Sequence, residues 1–292
     1  MIIDSHAHFE PRMLDLDAMV AKMDDAGVGR VALIPTMNDP LPKTPERLLA
    51  VLRKLMQTAP GRLVAEGVHR ALWTPEGNIR LDGRVYRVYA RPDNGAVARA
   101  IEAHPDRFYG WIFLNPRNNP DVLDELERWR HAPGMVGLKL HPHWHDYRTE
   151  LLRPLLSRAE ELGLPALIHL GFRKRGAYRD LCEAFPRLNI IAAHAGFPFY
   201  QDLWRYGRHR ANLFVDLSSP YIDEPLARGA VRVLGAHRCL YGTDSPYGFH
   251  DHDDSYDYGA IKGWVERMPV SSADQARIFG ETFLGLVDAS SP

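Results

Sequence analysis

The sequence predicts an α/β protein of the (β/α)₈ (TIM) barrel class, and three observations support that prediction. First, eight short apolar runs alternate with longer amphipathic stretches through most of the 292 residues. Second, the runs lack strict polar–apolar alternation, as expected of parallel strands buried on both faces. Third, this many strand–helix units in such a chain suit a closed barrel better than an open doubly wound sheet. The open sheet is the alternative, but it normally carries a glycine-rich phosphate loop after its first strand, where this chain has HAHFEPR.

The individual elements follow from the same patterns. Strands are predicted at Met1–Ser5, Arg30–Pro35, Phe108–Leu114, Val136–Leu140, Pro165–Ile168, Asn189–Ala193, Leu213–Leu217 and Cys239–Gly242. Helices with apolar residues at helical spacing are predicted between them at Leu14–Ala26, Pro120–Trp129, Leu151–Leu162 and Glu224–Leu234. Gly27, Gly163 and Gly235 lie where a helix C-cap is expected, just before the next strand.

Three stretches depart from this alternation. Residues 62–91 contain turn glycines and short β-like runs, and we interpret them as a β-hairpin insertion between units two and three that either covers the barrel mouth or forms an oligomer contact. The His- and Asp-rich residues 250–259 are interpreted as a solvated loop over the mouth. The last stretch, 271–288, is predicted to be a C-terminal helix with Ser272 as its cap. Without repeats or linkers, residues 1–292 are predicted to form one domain.

Composition excludes several classes of protein. Hydrophobic residues make up 45% and charged residues 25% of the chain, the balance of a soluble globular protein, and the net charge of −1 gives no general attraction to nucleic acid or anionic lipid. Cys182 and Cys239 have no CxxC partner, which is typical of buried thiols in a reducing compartment. No apolar run is long enough for a transmembrane helix, and the N-terminus lacks the pattern of a signal peptide. The sequence therefore predicts a cytoplasmic protein.

Polar side chains stand at the ends of four predicted strands. His6 and His8 follow the first strand two residues apart, so their side chains point to the same face. His169, His194 and Asp244 come directly after the apolar runs of the fifth, sixth and eighth strands. Because the C-terminal ends of barrel strands form the active-site face, we expect these five groups to converge at one mouth.

The motifs around these residues resemble the amidohydrolase superfamily, and within it the amidohydrolase-related branch that also contains decarboxylases of aromatic and unsaturated acids. The matching motifs are DSHAH, GLKLHP, ALIH, IIAAHAGFP and LYGTDSP, in the right order over essentially the whole chain. The resemblance implies a barrel with one or two metal ions at the strand C-termini. It implies that His6, His8 and His169 are metal ligands. It also implies that Asp244 is a ligand or a base touching the metal-bound water, and that His194 is the general acid/base.

The chemistry of the residues agrees with the resemblance. Three imidazole nitrogens and one carboxylate suit Zn²⁺ with an open position for water, with Mn²⁺ and Fe²⁺ as alternatives. Such a metal would lower the pKa of its water to about 7, and Asp244 is placed to accept the proton. One ion is predicted. Lys139, however, matches a position where some superfamily members carry a carboxylated lysine that bridges two metals.

Substrate contacts are predicted from the loops and from the fourth strand. Lys139 and His141 are two residues apart and should face the same side, where both could contact an anionic substrate. Arg12, in the first loop, could grip a substrate carboxylate with its guanidinium. Arg173 and Arg175, in the loop after His169, could bind a substrate carboxylate in the same way. For each arginine the competing interpretation is a solvated loop residue.

The sequence is compatible with three functions. Hydrolysis of a small amide, lactone or ester is favoured, because a metal-activated water beside a base and an oxyanion-stabilising histidine suits attack on a carbonyl carbon. Non-oxidative decarboxylation of an aromatic or unsaturated carboxylic acid, with His194 as the proton source, is the alternative. An inactive barrel serving as a binding module is the third, and it would show a missing ligand or base. The expected partner is a small-molecule substrate, and the resemblance and the insertion make a homodimer plausible.

Overall fold

The apolar runs form ten strands within residues 1–250 and 256–288, the part of the chain that this computed structural model describes. They are β1 (Ile3–Phe9), β2 (Arg30–Pro35), β3 (Ile79–Leu81), β4 (Arg84–Tyr86), β5 (Phe108–Phe113), β6 (Met135–Leu140), β7 (Ala166–Ile168), β8 (Ile190–Ala192), β9 (Leu213–Leu217) and β10 (Cys239–Tyr241). All except β3 and β4 pair in parallel in one sheet, in chain order from β1 to β10. The sheet curls until β10 lies beside β1, which confirms the predicted barrel.

Helices surround the barrel, and most of them bury an apolar face, as Leu16–Ala26 does with Met19 and Met23. They are Leu16–Ala26, Glu46–Met56, Ala59–Leu72, Asn94–Ala103, Val122–Trp129, Arg153–Leu162, Tyr178–Ala184, Ala193–Gly196, Gln201–Gly207, Glu224–Leu234, Gly259–Glu266, Ser272–Ala276 and Thr282–Val287. The first of them illustrates how the sequence sets both ends of a helix. The Asp15 carboxylate accepts a hydrogen bond from the Ala18 N–H, and Gly27 ends the helix at φ 68°, as its predicted C-cap role requires.

The first strand is longer than predicted, and the difference concerns the candidate site. We predicted that the strand ends at Ser5, whereas β1 continues through His6 and His8 to Phe9. Backbone pairing with β2 continues beyond the predicted end, as far as Phe9 opposite Pro35. Both histidines are buried inside this end of the barrel. The two imidazoles are therefore carried by a strand rather than by a loop, which fixes their position more firmly.

The insertion contains a helix in addition to the predicted hairpin. β3 and β4 form a two-stranded antiparallel sheet, which confirms the hairpin. Residues 62–72, for which we expected β-like runs, instead belong to the helix Ala59–Leu72. The Thr58 hydroxyl accepts a hydrogen bond from the Gly61 N–H, and a proline is tolerated in the first turn because its missing N–H would have no partner there.

The C-terminal helical segment is interrupted where it passes the first strand. The predicted helix 271–288 consists of Ser272–Ala276, a wide turn at Arg277–Glu281 and Thr282–Val287. Its cap is Ser271 and not Ser272, because the Ser271 hydroxyl accepts a hydrogen bond from a backbone N–H in the first turn. Within the wide turn, a Cβ on Gly280 would lie 2.7 Å from the backbone oxygen of Met1, so glycine permits this close approach.

The barrel closes along a seam between its first and last strands. Across this seam the Asp244 N–H donates to the His6 carbonyl at 2.7 Å, and the His8 N–H donates to the Ser245 carbonyl at 2.5 Å. β1 and the segment after β10 are therefore joined by backbone hydrogen bonds at the C-terminal end of the barrel. The candidate site residues of both strands stand on this seam.

Other sequence-based expectations concern the cysteines, the membrane and the loop near the C-terminus. Cys182 and Cys239 are free and buried, and burial raises the pKa of the Cys182 thiol to about 12, so it remains protonated and unreactive. Among residues 1–250 and 256–288, none of the helices has the length and apolar character that crossing a bilayer requires. Residues 251–255 of the predicted solvated loop lie outside the described residues.

Candidate metal centre

The five predicted side chains His6, His8, His169, His194 and Asp244 meet at the C-terminal end of the barrel, and all five are buried. Asp244 Oδ1 lies 3.4 Å from His8 Nε2 and 3.5 Å from His6 Nε2. Asp244 Oδ2 lies 4.0 Å from His194 Nε2. The same His194 nitrogen lies 3.0 Å from His169 Nδ1. The structure thus brings four imidazoles and one carboxylate together in one buried cluster.

A buried carboxylate that the sequence analysis missed orients two of these histidines. Asp216, in β9, accepts a hydrogen bond from His6 Nδ1 at 2.9 Å. Its other oxygen accepts the backbone N–H of His194, also at 2.9 Å. An ionised carboxylate can only accept, so the proton of a neutral His6 sits on Nδ1, and the lone pair of Nε2 faces the site. Asp216 therefore sets both the orientation and the tautomer of His6.

His194 is held in an unusual backbone conformation by the same carboxylate. It follows β8 with φ 56° and ψ 55°, in the left-handed region that a non-glycine residue rarely occupies. The Ser218 hydroxyl donates to Asp216 and lies 2.8 Å from His194 Nδ1, so it accepts from that nitrogen. This leaves His194 Nε2 with its lone pair toward Asp244. Conformational strain of this kind is typical of functional sites.

Burial determines the charge of these groups. It lowers the pKa of all four histidines, to about 4 for His194, so each ring is neutral near pH 7 and has a nitrogen lone pair to offer. Burial alone would raise the pKa of Asp244, but the neighbouring His194 and His8 outweigh it and hold that pKa well below its usual range. The site therefore presents neutral nitrogen donors and one ionised oxygen donor.

This donor set fits a divalent metal ion. Among the described residues, ligand atoms of His6, His194 and Asp244 lie within 4.8 Å of one another. Nitrogen donors with a carboxylate suit Zn²⁺ and also Mn²⁺ or Fe²⁺. The geometry differs in one respect from the set implied by the resemblance, because His194 belongs to the closest group, whereas His8 and His169 lie at its edge. Each of those two also has one buried nitrogen without a hydrogen-bond partner, His8 Nδ1 and His169 Nε2.

Lys139 and His141 were predicted to contact substrate from the fourth barrel strand, which is β6, but their side chains lie in different environments. Lys139 is fully buried in β6, with its Nζ 3.1 Å from His6 Nε2, beneath the site rather than in its opening. Burial lowers its pKa to about 8, although Asp216 and Asp244 oppose that shift. The ring of His141 is stacked 4.1 Å from that of His169, and His141 faces the cavity above the site.

The cavity above the site has a volume of 470 Å³ and a mixed apolar and polar lining. Four of the site residues form its floor: His8, His169, His194 and Asp244. Its walls are largely aromatic or aliphatic and include Met37, Leu41, Leu49, Trp144, Tyr221, Tyr247 and Phe249. A volume of this order is that of a small-molecule site, and the flat side chains suit a planar ligand. The cavity therefore brings a small organic ligand directly onto the buried cluster.

Arg12 does not reach this cavity. Its guanidinium forms a salt bridge with the fully buried Glu10, with Nε 2.7 Å from Oε1 and Nη2 2.5 Å from Oε2. It also donates to the Tyr89 hydroxyl at 3.1 Å. A buried carboxylate requires such a partner, so the arginine is held in the wall of the first loop and away from the ligand. The prediction that Arg12 binds substrate thus finds no support in the geometry.

A family model described as "Amidohydrolase" matches residues 3–282 of the chain. A gamma-resorcylate decarboxylase of Rhizobium radiobacter is 23% identical over 248 residues, which are 65% of this chain and 75% of that protein.

Solved structures show the same fold at lower sequence identity. A dihydroxybenzoic acid decarboxylase from a Polaromonas species, crystallised with bound manganese and the inhibitor 2-nitroresorcinol, is 16% identical, with a TM-score of 0.61 over 100% of this chain and 98% of that one. A 4-oxalomesaconate hydratase from Rhodopseudomonas palustris is also 16% identical, with a TM-score of 0.65 over 99% and 96%. At such identities these similarities establish the barrel and its topology.

Proposed function

The chain belongs to the amidohydrolase family and is an enzyme of that superfamily, and from this premise we propose that it is a metal-dependent, non-oxidative decarboxylase of a small aromatic carboxylic acid. The observation that carries the proposal is the buried cluster of imidazoles and Asp244 on the floor of a cavity with aromatic walls. The similarity to a gamma-resorcylate decarboxylase supports this reaction over the hydrolysis that the sequence analysis favoured.

The ligand set of the metal follows from the predicted roles. His6, His8, His169 and Asp244 would hold one divalent ion, for which manganese gains support from the manganese-bound Polaromonas decarboxylase and zinc remains the prediction of the donor set. When bound, the ion supplies positive charge that anchors the carboxylate or phenolate of a substrate and polarises it. Lys139, beneath His6, adds a cationic group to the same buried region when protonated.

His194 is the residue we propose to handle the proton. In decarboxylation a proton bonds to the ring carbon that carries the carboxylate and uses an electron pair of the ring. The bond from that carbon to the carboxylate then breaks, and its electron pair returns to the ring as CO₂ leaves. With Nδ1 held by Ser218, His194 exchanges its proton at Nε2, which lies at the cavity floor. The ring is neutral at rest, and the ionised Asp244, at 4.0 Å, stabilises the imidazolium that must form before the proton is delivered.

Hydrolysis remains the second candidate, and one observation favours it. Asp244 stays ionised next to the neutral histidines, as a base that accepts a proton from an attacking water must. A lactone or an ester small enough for a cavity of 470 Å³ would meet the same groups. The two reactions differ in their products, because only decarboxylation releases CO₂ and places a new hydrogen on the ring.

The two reactions can be separated with manganese-loaded enzyme in D₂O. We expect 2,6-dihydroxybenzoate or a related hydroxylated benzoate to release CO₂ and to carry one deuterium at the vacated ring carbon by NMR. His194→Ala should retain its metal and lose about 100-fold or more in rate, the range expected for a missing proton-transfer group. His169→Ala should lose the metal itself. Turnover of lactones or esters without CO₂ from any benzoate would contradict the proposal and leave hydrolysis.

We also propose that two copies of the chain associate through the helices Glu46–Met56 and Ala59–Leu72. Five large apolar residues on these helices, Leu48, Val51, Leu63, Val64 and Val68, are each between 55% and 60% exposed. Apolar area concentrated in this way is unusual on a monomer surface, and a second copy brings a matching apolar face.

This association predicts a dimer that a charged substitution disrupts. We expect light scattering after size-exclusion chromatography to give twice the chain mass for the wild type. Val64→Asp combined with Val68→Asp should give the monomer mass, because two carboxylates cannot be buried unpaired in an apolar interface. Leu123→Asp, at an exposed apolar position on another helix, is the control and should remain dimeric. A monomeric wild-type protein would contradict this proposal.

A further inference from the structure

A second cavity lies beside the candidate metal centre and has no role in the function proposed above. It is bounded by the insertion helix Ala59–Leu72 and by the loops that follow β6 and β7, and its volume is 670 Å³, against 470 Å³ for the cavity above the metal centre. Its lining includes the basic segment 173–175, whose arginines the sequence analysis considered as partners for a substrate carboxylate. The structure places those arginines here instead of above the metal centre.

The lining of this second cavity has a strong excess of positive charge. Its cationic residues are Arg70, Arg148, Arg173, Lys174 and Arg175, whereas its only acidic lining residues among those described are Glu66 and Asp146. Glu66 is buried and bonded by Arg173 Nε at 2.6 Å and by Arg70 Nη2 at 2.8 Å. Arg175 pairs with Asp146 at 2.7 Å, and Arg148 pairs at 3.4 Å with Glu150, which lies outside the lining. Five cations therefore face three carboxylates, and a net charge of about two remains to attract an anion.

One wall of the cavity is aromatic and planar. The ring of His69 is stacked 4.0 Å from that of Trp73 with an interplanar angle of 24°. The Phe172 ring meets His69 edge to face at 5.8 Å. Flat side chains of this kind pack against aromatic ligands, and arginines at the rim can stack on the same ring.

The same wall carries polar atoms that the protein leaves unsatisfied. Neither ring nitrogen of His69 has a hydrogen-bond partner in the described protein, and neither has the indole nitrogen of Trp73. Burial lowers the pKa of His69 to about 4, so its ring is neutral and carries one N–H that lacks an acceptor. A buried donor without an acceptor is unfavourable, so a ligand oxygen that accepted a hydrogen bond from it would stabilise the complex.

A stack of imidazoles connects this wall to the metal centre. The His143 ring lies 4.2 Å from that of His69 on one side and 5.2 Å from that of His169 on the other, and it is nearly parallel to His169 at 9°. The two cavities are therefore separated by a wall of aromatic rings rather than by a secondary-structure element.

We propose that the second cavity is a binding site for an aromatic carboxylate, separate from the metal centre. The cationic rim pairs with the carboxylate, and the aromatic ring packs against the wall formed by His69, Trp73 and Phe172. The site would keep ligands of this class beside the metal centre. The inference concerns binding only, so it can hold even if the chain proves not to be a decarboxylase.

Isothermal titration calorimetry of the metal-loaded protein with benzoate tests this site. We expect two binding events per chain in the wild type. Arg148→Gln combined with Lys174→Gln removes two exposed charges without touching the partners of Glu66, and should weaken one event at least tenfold while leaving the other unchanged. Arg128→Gln combined with Arg205→Gln removes the same charge from exposed positions outside this cavity and outside the proposed dimer surface, and should retain both events.

Three outcomes would overturn the proposal. One is a single binding event in the wild type, which would assign benzoate to the metal centre alone. Another is two unchanged events in the Arg148→Gln, Lys174→Gln variant, which would place the second site elsewhere. The third is equal affinity for cyclohexanecarboxylate, which has the same charge and similar size but no aromatic ring, because it would remove the role of the stacked wall. A clear preference for benzoate supports the proposal.

Discussion

Asp244→Asn is expected to lower kcat/KM by about 1000-fold or more, the upper part of the range for a group that acts in proton transfer and charge stabilisation. The amide has the same shape as the carboxylate, so the backbone bond from residue 244 to the His6 carbonyl can persist. What is lost is the ionised oxygen that lies 3.4 Å from His8 and 3.5 Å from His6. We therefore also expect most of the metal to be lost.

The measurement combines kcat/KM with metal content per chain by plasma mass spectrometry. Asp25→Asn, at an exposed position near the end of the first helix, changes the same charge away from the site and should behave as the wild type. An Asp244→Asn enzyme that retains its metal and loses less than tenfold in kcat/KM would show that this carboxylate is neither a ligand nor a base.

Asp216→Asn is expected to weaken metal binding by about 10- to 100-fold, the usual cost of removing a group that orients a metal-ligating histidine. The carboxylate accepts both from His6 Nδ1 and from the His194 N–H, and an amide offers only one acceptor oxygen for the two bonds. Asp216 is therefore a positioning residue that acts through the two histidines. Competition against a metal chelator of known affinity gives the change in metal affinity, and urea unfolding checks that the fold is retained.

Ser218→Ala separates the two effects of Asp216. The Ser218 hydroxyl links the carboxylate to His194 Nδ1 at 2.8 Å and lies farther, 3.3 Å, from His6 Nδ1, which keeps its own direct bond to Asp216 at 2.9 Å. We expect this variant to bind metal nearly as the wild type does. Its kcat should be lower than that of the wild type, and the pH dependence of kcat should change. If Asp216→Asn kept wild-type metal affinity at every pH, the orienting role would be refuted.

The sequence predicted the barrel and the five converging side chains because both depend on local patterns. Apolar runs followed at once by histidine or aspartate mark the ends of parallel strands, whatever the loops do. Asp216 was missed because it stands inside the apolar run LFVDL, where a single acid has no local partner to reveal its role. Its partners His6 and His194 are distant in sequence and are brought near only by closure of the barrel.

Two other differences have equally specific causes. Arg12 was considered for substrate because it follows the HAHFEP segment, but Glu10, two residues earlier, is buried and holds the guanidinium. Residues 62–72 contain Gly67 and follow Pro60 and Gly61, a composition that resembles a turn. Thr58 and Pro60 mark the start of this helix, and its packing against the helix Glu46–Met56 adds a contact that the sequence does not indicate.

The seam between β1 and β10 also determines when the proposed metal ligands can come together. His6 and His8 precede Asp244 by more than 230 residues in the sequence, so they leave the ribosome well before it. A nascent chain therefore cannot offer the proposed ligand set until Asp244, which follows β10, has left the ribosome, so we expect a metal ion to bind only after all barrel strands have been synthesised. An ion bound to both strands then fastens the two ends of the folding unit together, so the resistance of the enzyme to unfolding should rise with the concentration of available metal.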